Sequence, residues 1–466
     1  MSSFSAVNRI APAAIVLLAL ALRLIRLRHF GLGNDEIAEV FWSALPLREM
    51  LHYVMKDGVH PPLDYFMQFV LDRMTSTEWI WRVPRVLAGT ATVALMMPLT
   101  RRWFDERAGW IAALLLAVSP IHIRFSQEVR PYAFGLFWMV LAIVLLQKAM
   151  RRDGETATDD LLASSPSRLL AASWFLSVYL AAMTLYFAGM IAALVSIAMI
   201  LFSMPQLRRK LPLIILGWVV LYAPWLPVIL GAARATPPNP RDQLTWSWFA
   251  YRLQTLGTGD WQVEPISFGS WILWLFALIG LVFAIGNRRT KPAAIWLVVG
   301  LALEITALQL RPHYPAIRHL LPAWMGVFPL VGYAGSRARR LAVALLAVLF
   351  FDAQTLRAYY NHGRPEWNRV VDFVVERVKP GERVILSNNW TDLNFGWYWH
   401  QQPRAVEIEK ASGPVHVEGP AWFVISACGV TPELARMPLA QEFHYTNHCE
   451  VRYIPKGETL DMGACP

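Results

Sequence analysis

The chain has 466 residues, 56% of them hydrophobic and only 16% charged, with a mean hydropathy of +0.37. That composition excludes an ordinary soluble globular protein and describes a polypeptide that crosses a bilayer many times. The formal net charge is +10, but the Lys and Arg residues sit in short loops and form no patch with interleaved stacking aromatics, which excludes nucleic acid as a partner.

In chain order, apolar runs near 8–28, 82–100, 108–122, 132–149, 168–187, 188–204, 211–230, 270–286, 292–309, 318–334 and 339–356 approach the roughly 20 residues that a helical crossing needs. They predict about eleven transmembrane helices. The core of the first run, "IAPAAIVLLALAL", is short enough to resemble a signal-peptide apolar region. No small-residue cleavage site precedes Arg23, so an uncleaved helix is expected. Arg23, Arg26 and Arg28 at its end run against the positive-inside rule.

Between the first two runs lies "HFGLGNDEIAEVFW" (29–42), with adjacent carboxylates at Asp35 and Glu36. Apolar periodicity in "EIAEVFWSALPLREMLHYVM" and "PPLDYFMQFVLDRM" predicts two amphipathic helices in the membrane interface within 36–74. Further along, "RRWFDER" (101–107), "QKAMRR" (147–152), "QLRRK" (206–210), "NRRTK" (287–291) and "SRARR" (336–340) recur at every second connection. The positive-inside rule makes these five loops cytoplasmic. The alternate loops, including 29–81 and 231–269, are then outside, as is everything after the last span.

The polar stretch "DGETATDDLLASSPS" (153–167) reads as a cytoplasmic loop. The segment 231–269, rich in Pro, Trp and Gly, reads as an ordered or mobile loop over the outer face, where its tryptophans are candidates for sugar stacking. Glu304 in "LVVGLALEITALQL" is the main charge placed inside a span.

The domain organisation expected is a membrane domain over 1–356 and a small soluble α/β domain over 357–466. In the latter, "EWNRVVDFVVERV" has helical spacing, and "ERVILSN", "AVEIE", "AWFVISA" and "CEVRYIP" are β-type runs. Cys428, Cys449 and Cys465 all lie in this outer segment, which predicts one disulfide with a spare thiol in an oxidising compartment; the alternative is three unpaired buried cysteines.

Three outer loops concentrate polar groups: "NDE" (34–36) with "HPPLDY" (60–65), "SPIHIRFSQEVRPY" (119–132) and "RPHYPAIRHLLP" (311–322). The acidic pair, the "HPPL" step, "RVPRVLAG" (82–89), "SPIHIRFSQEVRPYAF" (119–134) and the late "RHLLP" (318–322), in this order and on one side, resemble bacterial members of the dolichyl-phosphate-mannose protein mannosyltransferase superfamily. That group includes the lipid A aminoarabinose transferases, and the resemblance spans roughly residues 10 to 360. It implies a glycosyltransferase-C-like helical membrane fold. It also implies inverting transfer of a monosaccharide from a polyprenyl-phosphate donor to a lipid A, core, glycolipid or surface-polysaccharide acceptor at the extracytoplasmic face of the bacterial inner membrane.

Consistent with this, the chain holds neither a D-x-D motif of metal-dependent nucleotide-sugar enzymes nor a G-x-G-x-x-G after a strand. No cofactor is expected, and the sequence leaves a divalent metal open. Asp35 matches the family's acidic position and is the candidate general base; it is equally suited to capping the helix that follows. Glu36 is a second catalytic candidate, or a first-turn helix acid. His60, where relatives have His or Lys before the Pro-Pro step, is the candidate to neutralise the departing phosphate. Arg82, Arg85 and Arg130 are phosphate candidates by bidentate contact, or else snorkelling interfacial arginines. Gln127, Glu128, Tyr132, Arg318 and His319 complete the expected donor site.

A protein O-mannosyltransferase differs only in its acceptor. A lipid-linked-sugar flippase is the rival of another class; it expects charges near the bilayer midplane, for which Glu304 is the main support. Reporter fusions after residues 152, 209 and 338 should read cytoplasmic and those after 260 and 400 periplasmic, and inverted readings would overturn the sidedness of every candidate above.

Overall fold

The computed structural model describes residues 2–155, 165–235, 245–258, 267–310, 316–337, 341–364, 366–386, 389–402, 406, 408–410, 414–417, 419–426, 438–443, 449–454 and 458–461. Most of the polar loop 153–167, the middle of the 231–269 segment, residues 311–315 and 338–340, Cys428 and Cys465 lie outside them, and the expected disulfide with them. Cys449 is buried. The chain forms two compact units, one of Met1–Ile25 with Trp42–Leu356, the other of Arg26–Phe41 with Arg357–Pro466.

The first unit is helical. A helical element occupies each of the eleven predicted runs, and among the described residues six helices are long and apolar enough to span a membrane, the longest being Glu78–Trp103. Glu106–Val118 and Pro120–Ser126 add a seventh if taken together across their 61° bend, and Ile10–Leu24 and Arg168–Thr184 are shorter apolar helices. The bend falls at Ser119-Pro120, where proline cannot donate to the helical ladder. The run 318–334 is likewise broken into Ile317–Leu320, Leu321–Trp324 and Val327–Arg337. Leu211–Tyr222 has no buried residue, the all-round apolar surface of a helix solvated by lipid.

Where two interfacial helices were expected there are three, Asn34–Ala44, Leu47–Asp57 and Leu63–Met74. Pro46, at φ −54° and ψ 144°, ends the first and caps the second, a break that the continuous apolar periodicity concealed. The 231–269 segment contains the helix Trp246–Thr258, tied to the next helix by Trp274 Nε1–H to Leu253 O at 2.9 Å.

The basic loops converge on one end of this unit. Ser336 donates to Asp105 Oδ2 at 2.8 Å, and the Arg289 guanidinium donates to Arg102 O, so the connections at 101–107 and 287–291 share a face with Ser336. Helix Glu78–Trp103, 26 residues and so about 39 Å long, carries Arg101 and Arg102 to that end and Arg82 and Arg85 to the other.

The second unit is α/β. Its strands are β1 (Arg383–Leu386), β2 (Ile408–Lys410), β3 (Pro414–Val417), β4 (Ala421–Ser426), β5 (Leu439–Phe443), β6 (Cys449–Ile454) and β7 (Glu458–Asp461). The main sheet has the order β2-β1-β4-β6-β5, parallel at β2-β1-β4 and antiparallel beyond, and β3 pairs with β7 in a separate ribbon. Helices Trp367–Val375 and Asn389–Trp399 contribute Trp367, Val370, Val371, Val374, Phe395 and Trp399 to its core.

Close helix contacts in the first unit rest on glycines. A Cβ on Gly280 would lie 2.1 Å from Leu330 O, and one on Gly332 would lie 2.3 Å from Ala108 O, backbone atoms that cannot step aside. Gly280→Ala and Gly332→Ala should each destabilise the bundle by about 1–3 kcal/mol, visible as a lower melting midpoint in detergent. Gly231→Ala, with nothing within 4 Å of its Cβ, should melt with the wild type.

Candidate functional site

In the first unit, residues far apart in sequence meet around His60. This histidine lies in the turn between helices Leu47–Asp57 and Leu63–Met74 and is 3% exposed. Its ring stands edge-on to Tyr132 at 5.8 Å, and Tyr132 in turn packs against Phe125 at 4.6 Å. Arg130, Arg318 and His319 are close enough for their charges to act on it. Burial first, then these neighbouring cations, hold the His60 imidazole well below its usual range, so it is neutral in this state. Its Nδ1 has no hydrogen-bond partner among the described residues. Three polar loops thus contribute to one cationic cluster, and its buried histidine is a neutral hydrogen-bonding group on which those charges act.

The local chain explains this convergence. The bend after Val118 turns "PIHIRFSQ" back across the bundle, and Arg23 pins it there. The Arg23 guanidinium is fully buried and donates to Ala19 O (2.8 Å), Ala117 O (3.2 Å) and Ser126 Oγ (3.2 Å), with Nη2 2.7 Å from His122 Nδ1. Gln127 is also fully buried, and its amide donates to Arg23 O at 2.9 Å and Ile25 O at 3.0 Å. Glu128 pairs with Arg124 at 2.8 Å and not with the nearby Arg130. On the late loop, His319 Nδ1 accepts from Ala316 N at 3.3 Å and its ring lies 6.0 Å from Phe187.

Arg82 and Arg85 are both buried. Arg85 is matched by an acid that sequence reasoning passed over: its Nη2 lies 2.9 Å from Asp64 Oδ2, both side chains being at most 1% exposed, while Nη1 donates to Gln68 Oε1 and Trp81 O. The ion pair holds helix Leu63–Met74 to helix Glu78–Trp103. Asp64 stands inside the quoted "HPPLDY", one turn along from the His, and its type was the only signal available.

Glu304 is fully buried, and its Oε1 accepts from Ala323 N at 3.0 Å, holding the backbone where the 317–337 run is broken at Pro322. In the 246–258 helix, Trp246 is 85% exposed and Trp248 lies under the Arg252 guanidinium at 5.5 Å; Trp261 is outside the described residues.

The acidic pair belongs to the second unit. Asp35 is exposed on the first turn of helix Asn34–Ala44, where the helix dipole favours a negative charge. Glu36 is buried; it accepts from Gly33 N at 3.0 Å, the reciprocal half of a capping box, and forms an ion pair with Arg364. Glu39, one turn on, is fully buried as well and was missed because its helix reads as a surface element in sequence. Among the described residues no three His, Cys, Asp or Glu side chains are grouped as metal ligands.

A helical membrane unit with a cation-lined, partly unsatisfied cluster at one end and a small α/β unit defines a membrane protein of the glycosyltransferase-C fold. The crystal structure of ArnT from Cupriavidus metallidurans bound to undecaprenyl phosphate matches it with a TM-score of 0.55 at 15% identity, over 97% of this chain and 98% of that one. The apo oligosaccharyltransferase of Archaeoglobus fulgidus matches with a TM-score of 0.52 at 13% identity, over 86% of this chain and 65% of that one. At such identities these likenesses establish the fold. Residues 59–229 match the family described as dolichyl-phosphate-mannose-protein mannosyltransferase. The putative mannosyltransferase YkcB of Bacillus subtilis is 27% identical over 150 residues, 30% of this chain and only 21% of that protein's length. The family match thus covers less than half of the chain, residues 59–229.

A neutral buried histidine has a defined pH signature. Below about pH 6.5 the unfolded chain binds a proton that folded His60 refuses, so stability should fall as pH falls through that value. Melting in detergent should therefore drop between pH 7.5 and 5.5, and the drop should be smaller in His60→Gln, which keeps the polar contacts but cannot titrate. An equal drop in both proteins would mean that His60 binds its proton equally well in the folded and unfolded chain.

Proposed function

We propose that this chain transfers one monosaccharide from a polyprenyl-phosphate carrier, with inversion, to an acceptor hydroxyl at the extracytoplasmic face of the bacterial inner membrane. The observation that carries the proposal is a buried, neutral His60 whose Nδ1 lacks a partner among the described residues, with buried Arg130 and half-buried Arg318 and His319 close enough for their charges to act on it. Cationic side chains beside a buried polar atom that lacks a partner favour an anion, and a polyprenyl phosphate supplies one on an apolar tail. The ArnT crystal structure holds undecaprenyl phosphate, and the archaeal oligosaccharyltransferase AglB has been solved in complex with an inhibitory peptide and a dolichol-phosphate. The meeting of three of the five basic segments at the other end of the bundle supports an extracytoplasmic location for the cluster.

In the reaction, the acceptor oxygen forms a bond to the anomeric carbon as the anomeric carbon–oxygen bond to the carrier phosphate breaks. The acceptor proton passes to Asp35, the exposed member of the acidic pair. The departing phosphate gains negative charge, which Arg130 and Arg318 offset while His60 donates a hydrogen bond and can take up a proton. Arg82 is retained as a donor-site residue. Arg85 and Gln127 act by holding the scaffold, since their groups are engaged by Asp64 and Gln68 and by backbone carbonyls. Glu36, paired with Arg364, fixes the turn that carries Asp35. No cofactor is needed for this displacement. The acceptor is a lipid A or core sugar, another glycolipid or a surface polysaccharide; a protein hydroxyl is the alternative that the matched family's description favours.

Asp35→Asn keeps size and capping ability but removes the basicity. Transfer from a synthetic polyprenyl-phosphate sugar in nanodiscs should fall about 10²-fold or more with donor binding intact. His60→Ala should weaken donor binding as well as rate, because it removes a contact present before reaction. Near-normal turnover by folded Asp35→Asn would exclude it as the base.

A further inference from the structure

Resting on that reading, we infer that Tyr398, Asn394 and Arg364 are positioning residues for the candidate base: the C-terminal domain holds the acidic turn in its working orientation. The segment Arg26–Phe41 is separated from this domain by more than three hundred residues of sequence, yet forms one compact unit with it. The anchors run along its whole length. The Arg26 guanidinium donates to Tyr360 O, and His29 Nε2 lies 3.2 Å from Glu366 Oε1. The Phe30 ring lies 5.9 Å from that of Tyr359 and under the Arg364 guanidinium at 5.5 Å. The Tyr398 hydroxyl accepts from Leu32 N at 2.6 Å, Asn394 donates to Asn34 Oδ1, and Arg364 pairs with Glu36.

The fit is close as well as polar. A Cβ on Gly31 would lie 3.0 Å from Asn368 Oδ1 and 3.1 Å from the Tyr398 hydroxyl, so the backbone passes directly over these groups. Leu32 and Ile37 are buried beside it. Asp35 therefore sits between two neighbours, Asn34 and Glu36, that are each tied to the domain, while its own carboxyl is exposed. Two fixed flanking residues and a capped first turn leave the carboxylate little freedom except at its own side-chain torsions. A general base gains from such restraint, because a misplacement of about 1 Å can cost about 10²-fold in rate.

The test uses the full chain in nanodiscs. Tyr398→Phe removes one hydroxyl and leaves the packing, and Asn394→Ala removes the neighbouring tether. Hydrogen–deuterium exchange over residues 30–41 should rise at least tenfold in Tyr398→Phe while β4 and β6 stay protected. The kcat for transfer should fall about tenfold to a hundredfold with KM for the donor and binding of undecaprenyl phosphate unchanged within about twofold. Asn394→Ala should act in the same direction. Fast exchange over 30–41 in the wild type, or loosened exchange with wild-type kcat in Tyr398→Phe, would overturn the inference. A wild-type chain that fails to bind undecaprenyl phosphate would instead overturn the proposed function, an outcome read without any variant.

Discussion

The membrane unit depends on one buried cation. Arg23 sits in an apolar helix with no exposed surface, and its guanidinium is met by two backbone carbonyls, a serine hydroxyl and a histidine ring nitrogen. In a low-dielectric interior an unmatched charge would cost several kcal/mol, so the chain can bend at Ser119-Pro120 only if the turn delivers those acceptors. The bend and the arginine thereby specify each other. Gln127 locks the arrangement by donating back to Arg23 O and Ile25 O, and the loop that follows brings Arg130 and Tyr132 to His60. A Cβ on Gly89 would lie 2.1 Å from Ser126 Oγ, so the tight approach of helix Glu78–Trp103 belongs to the same arrangement.

Elsewhere acids and bases are sorted by whether they meet inside the protein. Arg85 finds Asp64, Arg124 finds Glu128 and Glu36 finds Arg364, each a pairing that removes both members from the chemistry and uses them to hold elements together. Around His60 the charges that act on it are those of Arg130, Arg318 and His319. Cations beside a buried neutral histidine oppose its protonation, and an anion bound among them would relieve that opposition.

The sequence carried the helical class, the position of each of the eleven long apolar runs, four of the seven described strands and the loops that gather at His60, because each is written in apolar periodicity or in order along the chain; it did not carry helices Trp246–Thr258 and Asn389–Trp399. It did not carry the break at Pro46, which lies within uninterrupted periodicity, or strands β3, β5 and β7, which are short and of weak pattern, β5 being largely exposed. Arg23 and Arg26 were legible only as exceptions to the positive-inside rule. Both are engaged within the fold, Arg23 in the bundle and Arg26 at Tyr360 O, so neither is available to report on topology. Pairings such as Asp64 with Arg85 depend on which faces two helices turn toward each other, information that residue types and spacing do not contain.

A neutral histidine among arginines is also a coherent way to handle a phosphate that must first be held and then released. Permanent guanidinium charges attract the carrier whatever the pH, but a site made only of these would bind the product phosphate, which carries more negative charge than the donor, still more tightly. Burial and the neighbouring cations keep His60 uncharged, and an arriving anion would offset the repulsion that helps keep it so. In the proposed reaction its proton affinity therefore rises as charge develops on the leaving oxygen and falls again when the carrier departs. The stabilisation is concentrated where the bond breaks, which is where added binding accelerates transfer and does not merely hold the substrate.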